Sequence, residues 1–253
     1  MRVEDRLTRT LLLDLACGLA GAVVIRGFLS DAPRMVSSQE FRTVNLSRYS
    51  EERYPIPAFR LGPVLNEYNE AGSVGEKYWP DAQEATEHSR ESPIGATRAY
   101  CVEQLAQSWT DTAESARSHG RELFWGIVRE INEGTLTHWD DISREFDAHV
   151  FDDRPIVQLA FNLFLSMPSA GGETWIWRRR WQPSDENHRE RFGYRKNSIT
   201  AGAQRVVVSP TAGDAVLFDP RNYHVVRPSS GGRRLTVSFF IGITARGRLI
   251  LWS

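Results

Sequence analysis

Residues 231–240 read Gly231-Gly232-Arg233-Arg234-Leu235-Thr236-Val237-Ser238-Phe239-Phe240. A glycine turn followed by alternation of polar and apolar residues predicts a strand, Arg234–Gly242. Arg234, Thr236 and Ser238 then share one face, and Leu235, Val237 and Phe239 the other. Upstream, Leu123–Ile131, Ile156–Ser166, Thr174–Trp177, Arg205–Val208, Ala215–Phe218 and His224–Val226 also read as strands. Turn formers separate them: Asn132-Glu133-Gly134, Ser169-Ala170-Gly171-Gly172, Thr211-Ala212-Gly213-Asp214, and Ser229 to Gly232. Several short strands in succession predict a mainly β protein, a sandwich or barrel with flanking helices.

The N-terminal part has a different texture. The pattern predicts a helix from Asp5 to Cys17, stopped by Gly18, then a strand Ala22–Phe28. Between Ala99 and about His119, apolar Val102, Leu105, Ala106, Trp109 and Ala113 recur at helical spacing, with Gly120 as the stop. Residues 30–100 are rich in prolines and yield no assigned element. Neither a repeat nor a linker divides the chain, so one domain over 1–253 is expected, with 1–120 a mostly helical buttress and 121–245 the β core. The apolar run Leu11–Ile25 is interrupted by Asp14 and, at about 15 residues, is shorter than the ~20 a membrane span needs. No membrane contact and a cytoplasmic location are expected.

Composition narrows the function. Across 253 residues, 31 Lys and Arg face 32 Asp and Glu, a net charge of −1 that makes no case for nucleic acid. The two cysteines, Cys17 and Cys101, form no CxxC pair and exclude a disulfide framework or a thiolate-rich zinc site. The charge is uneven, however: residues 1–170 carry 17 Lys and Arg against 26 Asp and Glu, and residues 171–253 carry 14 against 6. A basic C-terminal third suits an anionic small molecule, unless its arginines merely decorate exposed strand faces.

The sharpest local feature is Thr137-His138-Trp139-Asp140. In extended backbone His138 and Asp140 point to one face and can reach one metal ion together. His224, in Asn222-Tyr223-His224-Val225, is the best third ligand, and two imidazoles with one carboxylate leave open positions on an octahedral ion, as in non-haem Fe(II) oxygenases. The triplet alone is a weak signal, since a turn histidine and a strand histidine would look the same. If the polar face of the strand after Gly232 turns inward, a buried Arg234 needs an anion, and a bidentate carboxylate is the natural one.

The order His138-x-Asp140, Gly171-Gly172-Glu173-Thr174, His224 and Gly232-x-Arg234-x-Thr236 resembles the Fe(II)/2-oxoglutarate-dependent dioxygenase superfamily over roughly residues 120–245. Phe161-Asn162 before the double glycine, and Gly213 to Phe218, are similar to its prolyl-hydroxylase-like branch. The resemblance implies a double-stranded β-helix (a jelly-roll, cupin-like core). It implies Fe(II) held by His138, Asp140 and His224, with 2-oxoglutarate and O2 as cosubstrates. Arg234, in preference to Arg233, would hold the distal carboxylate of 2-oxoglutarate, with Thr174, Thr236 and Asn162 beside it. Related halogenases put a small residue at the position of Asp140, so its presence implies hydroxylation over halogenation, with desaturation or oxidative ring closure as open outcomes.

Candidate substrate contacts are Arg129, Arg221, Arg227 and Trp177, the last within Trp175-Ile176-Trp177-Arg178-Arg179-Arg180-Trp181; a surface position is the simpler expectation for Arg129. The overall likeness to small bacterial amino-acid hydroxylases implies a small, carboxylate-bearing, amino-acid-like substrate. Three other readings stay open: a tailoring oxygenase on a larger natural product, with residues 30–100 as its lid; an enzyme hydroxylating proline within a protein, for which the sequence carries no peptide-groove signal; and a non-catalytic jelly-roll binding module.

Overall fold

The computed structural model describes residues 1–30, 46–51, 54–90, 92–109, 111–190 and 193–253. The strands that build it are β1 (Arg2–Glu4), β2 (Val23–Ile25), β3 (Ser47–Arg48), β4 (Phe59–Leu61), β5 (Ala113–Ser115), β6 (Ile127–Glu130) and β7 (Pro155–Ser166). They continue with β8 (Thr174–Arg180), β9 (Arg205–Val208), β10 (Ala215–Phe218), β11 (Asn222–Val226), β12 (Leu235–Thr244) and β13 (Leu249–Trp252). The longer helices are α1 (Arg9–Ala16), α2 (Tyr78–Arg90) and α3 (Pro93–Trp109).

A large sheet runs in the order β1-β2-β10-β7-β12-β6-β4-β3, with β13 on β12 and β5 on β13. A smaller sheet, β9-β8-β11, faces it. This is the expected jelly-roll, and its long central strands explain the two faces. Along β7 and β12, Leu159, Phe161, Leu163, Val237, Phe239 and Ile241 are buried against α1 and α3, through Leu12, Leu15, Cys101 and Leu105. Phe161 and Phe239 stack with ring centroids 4.6 Å apart. The alternate residues, among them Ala160, Phe164, Val216 and Phe218, look toward Ile176 and Val208 of the small sheet. Period-two alternation thus gives one face to the helices and the other to the space between the sheets.

Several boundaries differ from the sequence expectations. The helix expected over Ala99–His119 starts at Pro93 and ends at Trp109. Proline suits a first helical turn because its missing N–H would have no partner there. After the helix the chain becomes strand β5, which pairs in parallel with β13. Gly120 ends no helix: with His119 (φ 51°) and its own φ of 75°, it forms the turn between Ser118 and Arg121. Two successive positive φ values are what a tight hairpin requires. The strand expected over Leu123–Ile131 shrinks to β6, because Gly126, at φ 79°, breaks the extended run.

The first 120 residues are less helical than expected, since β1 to β5 all join the large sheet. Residues 30–100, which gave no element, contain α2 and the start of α3. Residues 31–45 of the expected lid lie outside the described residues. Among the described residues, no helix is long and apolar enough to cross a membrane.

Candidate metal and cosubstrate centre

The His138 segment runs antiparallel beside β11. His138 N–H donates to the His224 carbonyl at 3.0 Å, and His224 N–H returns a bond to the His138 carbonyl at 2.8 Å. Asp140 N–H is held by the Pro220 carbonyl at 2.9 Å. Alternation then sends His138 and Asp140 inward and Trp139 outward, against Trp181 at 5.7 Å between centroids. On β11, His224 faces inward between Tyr223 and Val225, which join a cluster on the outer face.

The result is a constellation in which one ligand atom each from His138, Asp140 and His224 lie within 4.8 Å of one another. Each imidazole is oriented by its own backbone. His138 Nδ1 donates to the Leu136 carbonyl at 2.7 Å, and His224 Nδ1 to the Asn222 carbonyl at 2.9 Å. A carbonyl can only accept, so each ring carries a proton on Nδ1 and turns its Nε2 toward the cluster. Burial, with the neighbouring His224, pushes His138 down to about 4, so its lone pair is available at neutral pH. Burial alone would raise the Asp140 carboxyl. The bond from His224 and the nearby His138 and Arg129 outweigh it and bring Asp140 to about 2. Two imidazoles and a carboxylate are a donor set that fits Fe(II).

Arg234 is a buried guanidinium lining the cavity beside the constellation. It is 4% exposed, with Nε donating to the Gly172 carbonyl at 3.0 Å and Nη2 to Thr174 Oγ1 at 3.3 Å. Both acceptors are neutral, and no carboxylate pairs with Arg234 among the described residues. Burial, with repulsion from Arg129, lowers it to about 10, so it stays charged at neutral pH. Beside it a polar chain crosses the sheet: Thr236 and Ser238 hydroxyls lie 2.9 Å apart, and Ser238 donates to Asn162 Oδ1 at 2.9 Å. Arg233 points the other way and is held by Glu130 at 2.7 Å.

Two cavities meet at the constellation. The inner one, about 60 Å³, is lined by Arg234, Thr174, Thr236, Asn162 and His224. The outer one, about 170 Å³, is lined by Tyr49, Tyr54, Gln158, Phe240 and Trp252. Arg129, His138 and Asp140 border both. Arg129 is therefore inward and not on the surface, because its register partners are Thr236 of β12 and Arg60 of β4 on the same inner face.

The other three candidate substrate residues are elsewhere. Arg221 is bound to Asp219, through Nε at 2.8 Å and Nη2 at 2.9 Å. The Arg227 guanidinium lies 4.6 Å from the Trp175 ring centre. Trp177 is buried with Tyr194, Ile199 and Tyr223. Strand parity explains the last case: Trp175 and Trp177 alternate with Thr174 and Ile176, so they occupy the outer face of β8. Tyr49 and Tyr54 had no signal in the sequence, since they sit in the proline-rich stretch without a readable period. Ser238 was placed on the right face but given no role.

Known proteins decide the family. The chain is 38% identical over 252 residues to the L-gamma-glutamyl-L-propargylglycine hydroxylase of Streptantibioticus cattleyicolor, covering 97% of this chain and 93% of that protein. It is an Fe(II)/2-oxoglutarate-dependent oxygenase. A second relative, leucinostatins biosynthesis cluster protein S of Purpureocillium lilacinum, is 30% identical over 152 residues, 54% of this oxygenase and 61% of the relative. Residues 153–253 match the model of a family described as carrier-protein-independent halogenase WelO5. The fold is shared with the crystal structure of an N-substituted L-amino acid dioxygenase with alpha-KG from Burkholderia ambifaria. The TM-score is 0.62 at 16% identity, over 96% of this chain and 90% of that one. The oxygenase uses Fe(II), 2-oxoglutarate and O2.

Proposed function

We propose that this oxygenase hydroxylates an unactivated C–H bond of a small, amino-acid-like substrate at a centre built from His138, Asp140 and His224. The observation that carries the reading is the convergence of two imidazole Nε2 atoms and a carboxylate beside a buried arginine that has no acid partner among the described residues. Fe(II), bound with 2-oxoglutarate and O2, would supply the oxidation, one oxygen atom entering succinate and the other the substrate, with release of carbon dioxide. The protein's share is positioning and electrostatics. Leu136 and Asn222 carbonyls fix the two imidazole rings. Arg234 would grip the distal carboxylate of 2-oxoglutarate, with Thr174, Thr236 and Asn162 offering hydroxyl and amide contacts in the inner cavity.

The halogenase family model begins at residue 153, after Asp140, so its match says nothing about this position. A carboxylate here fills the place that chloride takes in the related halogenases, which supports hydroxylation. The names of the relatives support an amino-acid-like substrate, one of them a γ-glutamyl dipeptide hydroxylase. Two free cysteines, Cys17 exposed and Cys101 buried, support a reducing, cytoplasmic setting. The test is succinate release with Fe(II) and 2-oxoglutarate across amino acids, their N-acyl forms and γ-glutamyl dipeptides. Substrate-stimulated succinate with a hydroxylated product is the expected outcome; a chlorinated product in chloride, or no Fe(II)-dependent succinate at all, rejects the reading.

A further inference from the structure

Once the inner cavity is given to 2-oxoglutarate, the outer one has no occupant. Its walls are apolar at Val64, Leu65, Ile142 and Phe240. They also carry the Arg129 guanidinium, which borders the inner cavity as well. Arg60, next to Arg129 across β4 and β6, is neutralised by Glu67. Arg129 has Tyr49 as a hydrogen-bond partner, and the carboxylate that acts on it is Asp140. Asp140 is committed to the metal in the proposed centre and Glu67 to Arg60, and among the described residues no ion pair joins Arg129 to a carboxylate. Such a group is stable only against an anion. The cavity, about 170 Å³, has room beside Arg129 for a short side chain and a carboxylate.

We propose that Arg129 binds the free α-carboxylate of the substrate in the outer cavity. The substrate class is then an aliphatic α-amino acid with a free carboxyl end, either alone or as the last residue of a dipeptide. This rests on the oxygenase reading of the centre and deepens it. A carboxylate held there sets its neighbouring carbons beside the His138–Asp140 edge that borders both cavities, so Arg129 is a specificity and positioning residue.

The test measures binding without turnover, on protein loaded with Zn(II) and 2-oxoglutarate. The probes are L-propargylglycine, L-norvaline, L-leucine and γ-L-glutamyl-L-propargylglycine, each as the acid and as its C-terminal carboxamide. Wild type is expected to bind at least one acid about 10- to 100-fold more tightly than its amide, the range for a charge-assisted contact. Preference for the free amino acid or the dipeptide separates the two sources of the carboxylate. Arg129→Gln should weaken the acid by that factor, leave the amide unchanged and thus erase the preference, while Arg129→Lys restores part of it. Equal loss of acid and amide would mean a structural role, and a raised 2-oxoglutarate requirement in Arg129→Gln would mean a cosubstrate role; either overturns the proposal. So does a wild type that ignores amidation or binds none of the acids. Binding of 2-oxoglutarate to the Zn(II) protein without a probe is the separate check on the oxygenase reading, and its failure is visible whatever the probes do.

Discussion

At the scale of single residues, each proposed ligand has a distinct task, and their loss should differ from loss of the cosubstrate arginine. His138→Ala or Asp140→Ala removes one of only three donor atoms gathered within 4.8 Å. Either should bring Fe(II)-dependent succinate formation down to the metal-free background, and turnover near wild type in either variant would sink the triad assignment. Arg234 is proposed to act on a different step. Among the described residues its guanidinium donates to the Gly172 carbonyl and the Thr174 hydroxyl. Losing a charged hydrogen bond in a buried site costs about 1.5–3 kcal/mol, so Arg234→Gln should raise the dissociation constant of 2-oxoglutarate about 10- to 100-fold by calorimetry. Arg233→Gln should leave it within about twofold, because Arg233 is spent on Glu130 at 2.7 Å. The reverse ranking would exchange the two roles.

At the scale of elements, the centre is framed by β8, β11 and the turn that connects β10 to β11. The 3%-exposed Asp219 organises that turn, accepting the Arg221 N–H at 3.0 Å and the Arg180 guanidinium at 2.6 Å. The same turn presents the Pro220 carbonyl to Asp140 and the Asn222 carbonyl to His224. Asp219→Ala leaves Arg221 without its partner, and breaking a buried pair costs about 3–5 kcal/mol, to be read from urea unfolding. Because the turn orients two ligands, metal affinity should also fall about 10- to 100-fold. A stability loss with unchanged metal affinity would separate the turn from the centre.

How far the elements were legible follows from their periodicity. Arg205–Val208 and Ala215–Phe218 match the strands found, and the parity of the strand after Gly232 placed Arg234 and Thr236 inward. The same parity argument fails where a strand's start is misjudged. Leu123–Ile131 read as one strand, so nothing marked Gly126 as the break that fixes the phase of Arg129. Arg221 and Arg227 flank His224 in sequence, but a turn and an outward strand end carry them away from it. Residues brought in from the proline-rich stretch, Tyr49 and Tyr54, depend on tertiary packing that no local pattern encodes.

At the scale of the whole molecule, the near-zero net charge divides into an exterior that balances itself and an interior that does not. Much of the basic C-terminal third is surface pairing: Arg179 with Asp185, Arg180 with Asp219, Arg189 with Glu186, and Arg248 with Asp153. Those arginines decorate the outside, as the plainer expectation had it. Inside, the buried guanidinium groups of Arg129 and Arg234 repel each other, and Asp140 is the carboxylate that acts on Arg129. The space between the sheets is therefore built for more negative charge than the chain supplies, and the molecule should be measurably more stable with it. A ligand that binds only the folded state adds about 2.7 kcal/mol at 100 times its dissociation constant. Zn(II) with 2-oxoglutarate should accordingly raise the melting temperature by several degrees, and chelation should reverse the rise. The contributions should also separate by residue: Arg234→Gln should keep the metal's increment and lose that of 2-oxoglutarate, while His138→Ala should lose the metal's increment. If 2-oxoglutarate stabilises Arg234→Gln as much as wild type, the excess positive charge of the interior is not its binding site.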